Sequence, residues 1–372
     1  MKNEDYITEY IETRGLSQNT KNKLKSVLNH YSKFQQTTLH QLLIEADTEE
    51  EKRIRWKHRK LKNRLTQYMI YLKKTMTINS AKDYFRYVKS FYRHHYIEIG
   101  MLPAFNHKNA IVLKPITVKD LPDKEIIKSA VEIASPLMKA LILFLATSGM
   151  SKVEALELSI QDFINATSKY HNETNILLVL ETLQNTSDVI PVWNCRRNKT
   201  NKFFITFNTP EATHYILNYL YERNKKQQLS KTDKLFKISS DYYTSKFAEL
   251  NNMLGLGKAG AYNRFRGHML RKFHASQLQK YGMERYLVNV MQGKSNSKVD
   301  DVYFFEDEDL LLKKYTGAIT GLLFFTDVNE FNVYSDEYLA IVEENRLLKK
   351  QNSKVKQLEE DIKEIQSWYL KD

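Results

Sequence analysis

The sequence predicts a mainly α protein in two domains, with a small antiparallel sheet and a C-terminal coiled coil. Three observations carry this expectation. Apolar residues recur at helical spacing over most of the chain. Pro103, Pro115 and Pro122 interrupt that pattern between Met101 and Asp123. An apolar seam of heptad type runs through the last residues, from Asp336 on, where Gly and Pro are absent.

With 372 residues the chain has room for two cores. A charged fraction of 27% and a hydrophobic fraction of 42% are those of a globular, water-exposed protein. The formal net charge of +13 favours a polyanionic partner, nucleic acid above all, because protein cations displace condensed counterions from phosphates. A single cysteine, Cys195, leaves no disulfide framework within the chain and no Cys-based zinc site. The most apolar run, "LMKALILFLATSGM", is too short and too interrupted to span a bilayer, so no membrane partner is expected. The opening "MKNEDYITEY" lacks the apolar stretch of a signal peptide. A reducing cytoplasm is the expected location.

The first domain is expected over residues 1–105. "SQNTKNKLKSVLNHYSKF" offers Ser17 as an N-cap, followed by Leu24, Val27, Leu28 and Tyr31 at i, i+3, i+4 and i+7. "RLTQYMIYLKK" and "AKDYFRYVKSFYRHHYIEI" continue in this manner. In the latter, Lys82, Arg86, Lys89 and Arg93 share one face, with Phe85, Val88 and Tyr92 on another. Only Asp83 stands at a spacing that pairs with a member of this basic stripe, so the stripe fits a phosphate-facing helix as well as a solvated one. His94 and His95 are expected to face solvent or DNA.

Residues 106–117 read as a linker, and a second domain is expected over 118–325. It opens with a helical block, "DKEIIKSAVEIASPLMKALILFLATSGMSKVEALEL". Three runs, "NILLVLETL", "VIPVWNCR" and "KFFITF", read as strands, the last two joined by the polar turn "RNKTN" into a hairpin. Helices "PEATHYILNYLYERNKK" and "SSDYYTSKFAELNNML" follow. Residues 336–369 then place Ile341, Asn345, Leu348, Asn352 and Val355 in a heptad seam that Leu358, Ile362, Ile365 and Tyr369 resume. A lone helix packed back on the body is the alternative.

Between these lies "GHMLRKFHASQLQKYGM". Leu270, Phe273 and Leu278 can face a core, which puts His268 and Arg271 together as neighbours on one helix face. His274 is expected to pack or cap within that helix. An isolated H-x-x-R is ordinarily a basic surface patch. Here it is followed by Val290-Met-Gln-Gly293-Lys294, and Tyr303 stands nine residues after Lys294. In this order and spacing the elements resemble the tyrosine recombinase (phage integrase) family, with its H-x-L-R, its L-x-x-x-L-G-[HW] and its tyrosine nucleophile. "LATSGMSKVEALEL" is similar to the family's box around its first arginine, with Gly149 and Glu154 in register. "PVWNCRRNKTNKFFITF" is similar to the hairpin that carries its lysine. The wording of this region and the heptad tail resemble integrases of archaeal viruses and plasmids. The resemblance covers roughly residues 5–325.

The resemblance implies a two-domain clamp on duplex DNA that performs site-specific recombination, integrating or excising a mobile element through a 3′-phosphotyrosine intermediate. It implies Tyr303 as nucleophile, Arg271 as phosphate clamp, His268 as hydrogen-bond donor or proton shuttle, and Lys199 as acid for the leaving oxygen. The partners implied are double-stranded attachment sites and a homo-tetramer on paired sites, and the reaction needs no metal or other cofactor. Two positions depart from the family pattern. Its first arginine falls on Ser151, with Lys152 beside it, and its second His or Trp falls on Lys294. Lys152 and Lys294 are therefore candidates for phosphate contact, although a lysine cannot form the bidentate fork of an arginine. A catalytically impaired DNA-binding protein of the same fold is the alternative reading.

Overall fold

The computed structural model describes residues 3–105, 111, 113, 115–197, 201–294 and 308–325. Lys199, Tyr303 and the heptad tail lie outside the described residues. The chain divides into two compact units, Met1–Pro115 and Ile116 onward.

The first unit is built from five helices: α1 (Asn3–Glu12), α2 (Gln18–Gln35), α3 (Leu39–Glu51), α4 (Lys60–Thr75) and α5 (Ile78–His94). Local sequence sets several of the starts. Thr38 and Gln41 cap each other's backbone N–H at the head of α3. The Thr77 hydroxyl accepts from Ser80 N–H at the head of α5. Ser17 occupies the N-cap of α2, and Leu24, Val27, Leu28 and Tyr31 are all buried, as their spacing predicts. α5 buries Phe85, Val88, Phe91 and Tyr92 in the same core, where the Tyr31 and Tyr92 hydroxyls meet at 3.1 Å. The opposite face carries Lys82, Arg86 and Arg93 in the open and Lys89 half-buried. Asp83 pairs there with both Lys23 (2.9 Å) and Arg86 (3.3 Å). His94 and His95 do not face open solvent. Both are half-buried, the His94 ring 4.8 Å from that of Tyr10 and the His95 ring 4.8 Å from that of Phe91. The end of α5 lies against α1, so the two imidazoles become part of that packing.

The second unit begins with α6 (Lys124–Ile133), α7 (Pro136–Ser148), α8 (Lys152–Glu157) and α9 (Ile160–Ala166). α7 is buried on all sides from Ala140 to Ser148, as its nearly unbroken apolar sequence requires. Next come α10 (Ile176–Gln184), β1 (Val192–Arg197), β2 (Lys202–Phe207), α11 (Pro210–Lys226) and α12 (Ser240–Met253). A two-residue ladder, β3 (Lys258–Ala259) with β4 (Tyr262–Asn263), precedes α13 (Gly267–Lys280), α14 (Arg285–Met291) and α15 (Glu308–Gly317).

β1 and β2 form the expected antiparallel hairpin, in register from Val192 opposite Phe207 to Arg197 opposite Lys202. Asn201, with a left-handed φ of 56°, donates its N–H to the Arg197 carbonyl at 2.7 Å and closes the turn. Trp193 fixes the hairpin to the core. Its ring meets Phe144 of α7 edge-on, and its indole N–H donates to the buried Asn208 side chain at 2.7 Å.

The run "NILLVLETL" forms no strand. It is the helix α10, capped by Asn175, whose side chain accepts from Leu177 N–H at 2.9 Å. Its buried residues, Ile176, Val179, Leu180 and Leu183, follow the helical period. A short apolar run is ambiguous between the two periods, and here the cap and the 3.6-residue spacing decide. The expected strand content of this region is therefore confined to the hairpin.

Candidate functional site

α13, α14, the end of α7 and the hairpin converge on one guanidinium. Arg271, on the second turn of α13, is only 6% exposed. Its Nη1 donates to the Gly149 carbonyl at 2.6 Å, and its Nη2 donates to the Gln292 carbonyl. Burial brings its pKa down to about 10, the Glu154 carboxylate working against the fall and Arg197 adding to it. The group thus stays charged at neutral pH while lacking the solvation of a surface arginine.

Two neighbours hold this geometry. The Gln292 side-chain amide, fully buried, donates to the Arg271 carbonyl and to His274 Nδ1, each at 3.0 Å. His274 is buried completely, and desolvation, then Arg271 and Lys294, holds its pKa down at about 3. It is therefore a neutral packing residue. Gly149 ends α7 with φ +64°, and a Cβ there would lie 2.4 Å from His274 Nδ1. Only glycine combines that backbone angle with that contact.

His268 starts the exposed rim, one turn before Arg271. Desolvation, then Lys272, Arg266, Arg271 and Lys294, lowers its pKa below the usual histidine value, so the neutral imidazole predominates at neutral pH. Lys294 follows the α14 end. The residue is exposed and stands within the field of Arg271, Arg197, Arg285 and Lys272. Desolvation and this positive company bring its pKa down to about 8. The structure thus brings His268, Arg271 and Lys294 together, in a cluster whose members depress one another's protonation. A site of this sign and density is suited to an anion with several oxygens, such as a phosphate.

Ser151 and Lys152 do not join the cluster. Ser151 is the N-cap of α8, its N–H donating to Glu154 Oε2 at 2.8 Å. Lys152 turns toward α12 instead. Its ammonium donates to the Ser240 carbonyl (2.7 Å) and the Thr244 hydroxyl (2.9 Å) and lies over the Tyr243 ring. One residue out of register on a helix is about 100° of rotation, which aims it at a different neighbour. The expectation that Lys152 contacts the site is corrected by these bonds. Sequence reasoning overlooked Arg197, whose Nη1 donates to the Gly293 carbonyl at 2.7 Å and whose Nε lies 3.7 Å from Glu154 Oε1. Glu154, also buried, was noted only for its register in the "SGMSKVEALEL" segment. Tyr315, twelve residues after Tyr303 in the sequence, is fully buried and donates its hydroxyl to the Thr147 carbonyl at 3.0 Å, which makes it a core residue.

Neither a protein-family model nor a curated protein sequence matches this chain. Among solved structures it is similar to the Tn1549 transposon integrase in complex with circular intermediate DNA, at 14% identity and a TM-score of 0.48, over 84% of this chain and 98% of that one. It is also similar to the XerH site-specific recombinase bound to difH substrate, at 17% identity and a TM-score of 0.43, over 67% of this chain and 68% of that one. A third is the XerA recombinase, at 16% identity and a TM-score of 0.35, over 85% of this chain and 98% of that one. Likenesses of this degree assign no residue a role, and the site is judged on its own geometry.

If Gly149 is essential to seating Arg271, Gly149→Ala should destabilise the second unit markedly. The left-handed backbone alone costs an alanine about 1–2 kcal/mol, and the methyl must also displace His274. A denaturant midpoint unchanged from wild type would show that the α7 end relaxes freely.

Proposed function

We propose that this chain is a tyrosine-type DNA strand-transfer enzyme that cuts and rejoins duplex DNA at specific sites. The observation that carries the reading is the buried, carbonyl-anchored Arg271 with His268 and Lys294 at its rim, ahead of Tyr303 at a fixed spacing. In this reading the Tyr303 phenol oxygen attacks the scissile phosphorus, an O–P bond forms, and the bond to the 5′ oxygen breaks. The DNA 3′ end stays on the tyrosine, which keeps the bond energy for religation. Arg271 and Lys294 stabilise the charge that builds on the non-bridging oxygens. His268, neutral in this company, accepts the phenol proton, and Lys199 protonates the leaving 5′ oxygen. Integration or excision of a mobile element on paired sites, by a tetramer joined in part through the 336–369 heptads, is the biological form of the proposal. The first domain, residues 1–105, would grip DNA through Lys82, Arg86, Lys89 and Arg93. Resemblance to archaeal-virus integrases remains part of this proposal. The rival, a DNA-binding protein of the same fold without catalysis, is favoured by Ser151 at the first arginine position.

The decisive experiment incubates the protein with a library of random-sequence nicked duplexes and isolates denaturant-resistant protein–DNA adducts. The wild type should yield them, and Tyr303→Phe should bind the recovered duplex yet form none. Adducts that persist in Tyr303→Phe, or a wild type that binds DNA without any, would sink the catalytic reading.

The basic stripe makes a separate prediction. Lys82→Ala combined with Arg86→Ala should weaken DNA binding about equally for all sequences. It should also reduce the salt slope by roughly one unit per lost contact. A slope equal to wild type would mean that this face of α5 only meets water.

Lys294 gives a pH test. Its pKa in the free protein is about 8, and a phosphate beside it must raise that value, so binding takes up a proton above pH 8. DNA affinity should therefore be highest below pH 8 and decline as the pH rises above it. Lys294→Arg, which stays protonated, should flatten the decline. The same decline in both proteins, followed by fluorescence anisotropy, would remove Lys294 from the contact.

A further inference from the structure

We propose that Arg197, the last residue of β1, is a second phosphate-contacting arginine of this site, and that it supplies from the hairpin the charge that Ser151 does not. The proposal rests on the reading above, in which the cluster receives a DNA phosphate.

Arg197 and Arg271 are anchored side by side. Arg271 donates to the Gln292 carbonyl and Arg197 to that of the next residue, Gly293, at 2.7 Å. Two guanidinium groups thus stand on consecutive carbonyls of one turn. Gly293, with φ +58°, leaves no room between that turn and the hairpin. A Cβ there would lie 2.8 Å from the Phe204 ring and 3.3 Å from Arg197 Cδ. The hairpin is therefore pressed against the turn at Arg197 itself.

Glu154 links this arginine to the departed position. Its Oε2 receives the Ser151 N–H at 2.8 Å, and its Oε1 lies 3.7 Å from Arg197 Nε. The carboxylate that follows the first-arginine position by three residues thus faces an arginine that arrives from another element. The contacts to Gly293 and Glu154 use Nη1 and Nε and leave the Nη2 edge of the fork unengaged by either. The side chain is 18% exposed, which permits a ligand to reach that edge. Among the described residues, the one buried carboxylate beside Arg197, Glu154, does not balance Arg197, Arg271 and Lys294. Like charges held this close in low dielectric repel strongly, and an anion between them relieves the repulsion. Arg197 also contributes to the lowered pKa of both Arg271 and Lys294, which places all three cations within each other's field. A guanidinium can grip two phosphate oxygens at once, which no lysine here can do.

The test compares wild type with Arg197→Gln and Arg197→Lys. Glutamine keeps a donor for the Gly293 carbonyl and removes the charge, while lysine keeps the charge and removes the fork. Thermal midpoints establish that each protein folds. The first readout is binding of inorganic phosphate at low ionic strength by titration calorimetry, which needs neither a cognate DNA site nor catalysis. Arg197→Gln should weaken it tenfold or more, and Arg197→Lys by less. The second readout is single-turnover adduct formation on a nicked duplex recovered from the library. There Arg197→Gln should be slower by about a hundred- to a thousandfold, the cost of one lost donor to a transition-state oxyanion. Phosphate binding that needs Arg197, together with a wild type that forms no adduct, would retain Arg197 as a phosphate ligand and overturn the strand-cleavage reading. Phosphate binding equal in wild type and Arg197→Gln, or none in wild type, would overturn the Arg197 proposal whatever happens to DNA.

Discussion

The burial of one guanidinium organises this site. Taking Arg271 out of water costs several kcal/mol unless its donors find partners, and the fold supplies two of them with carbonyls from separate places, Gly149 at the end of α7 and Gln292 after α14. Each carbonyl must in turn be held. Gly149 is held by its left-handed backbone against His274. Gln292 is held through its own side chain, which returns a hydrogen bond to the Arg271 carbonyl. The result is a closed ring of dependence among α7, α13 and the turn after α14. A change in any one of them moves the guanidinium, because buried polar groups have no water with which to compensate.

Around this anchor the site stores unfavourable electrostatics. Lys294 falls to about 8, His268 falls below its usual value, and Arg271 falls to about 10. Every one of these shifts is in the direction that disfavours positive charge. A chain selected for stability alone has no reason to gather these groups where, among the described residues, Glu154 is the one buried carboxylate beside them. Perturbed groups of one sign, gathered at a rim and fixed on rigid elements, mark a place prepared for a ligand of the opposite sign. The cost is small beside the core that bears it, since α7 is buried on all sides from Ala140 to Ser148 and Trp193 and Phe144 lock the hairpin beside it.

Much of this was legible in the sequence. Leu270, Phe273 and Leu278 lie in the core at 0%, 1% and 0% exposure, so the periodic apolar face of α13 was read correctly. The hairpin was legible because its strands are flanked by turn residues and rich in aromatic and β-branched side chains. The run that became α10 was not, because nine apolar-rich residues fit either period and its cap, Asn175, is a single polar residue common in turns as well. Lys152 stands one position out of register with the first-arginine position, and on a helix that offset turns its ammonium toward α12. Arg197 was invisible for a different reason. Arg196 and Arg197 look alike in the chain, and only the tertiary packing separates them. Arg196 lies exposed over the Phe203 ring, while Arg197 meets Gly293 and Glu154.

The same contrast shows that the element delivering a guanidinium cannot be read from its place in the chain. A phosphate cannot tell which element delivers a guanidinium; it responds to position, charge and the fork of donors. Ser151 stands at the head of α8, where its N–H donates to the Glu154 carboxylate. With that position committed to capping, the Glu154 carboxylate one turn later is free to face the hairpin, and Arg197 meets it there. Capping at 151 and pairing at 154 are thus two ends of one arrangement, in which the two oxygens of a single buried carboxylate serve a backbone N–H and a guanidinium. An arginine at 151 would bring a further cation to a carboxylate already engaged on both sides. Seen from Glu154, the head of α8 and the arginine at 197 are two elements held to one buried carboxylate.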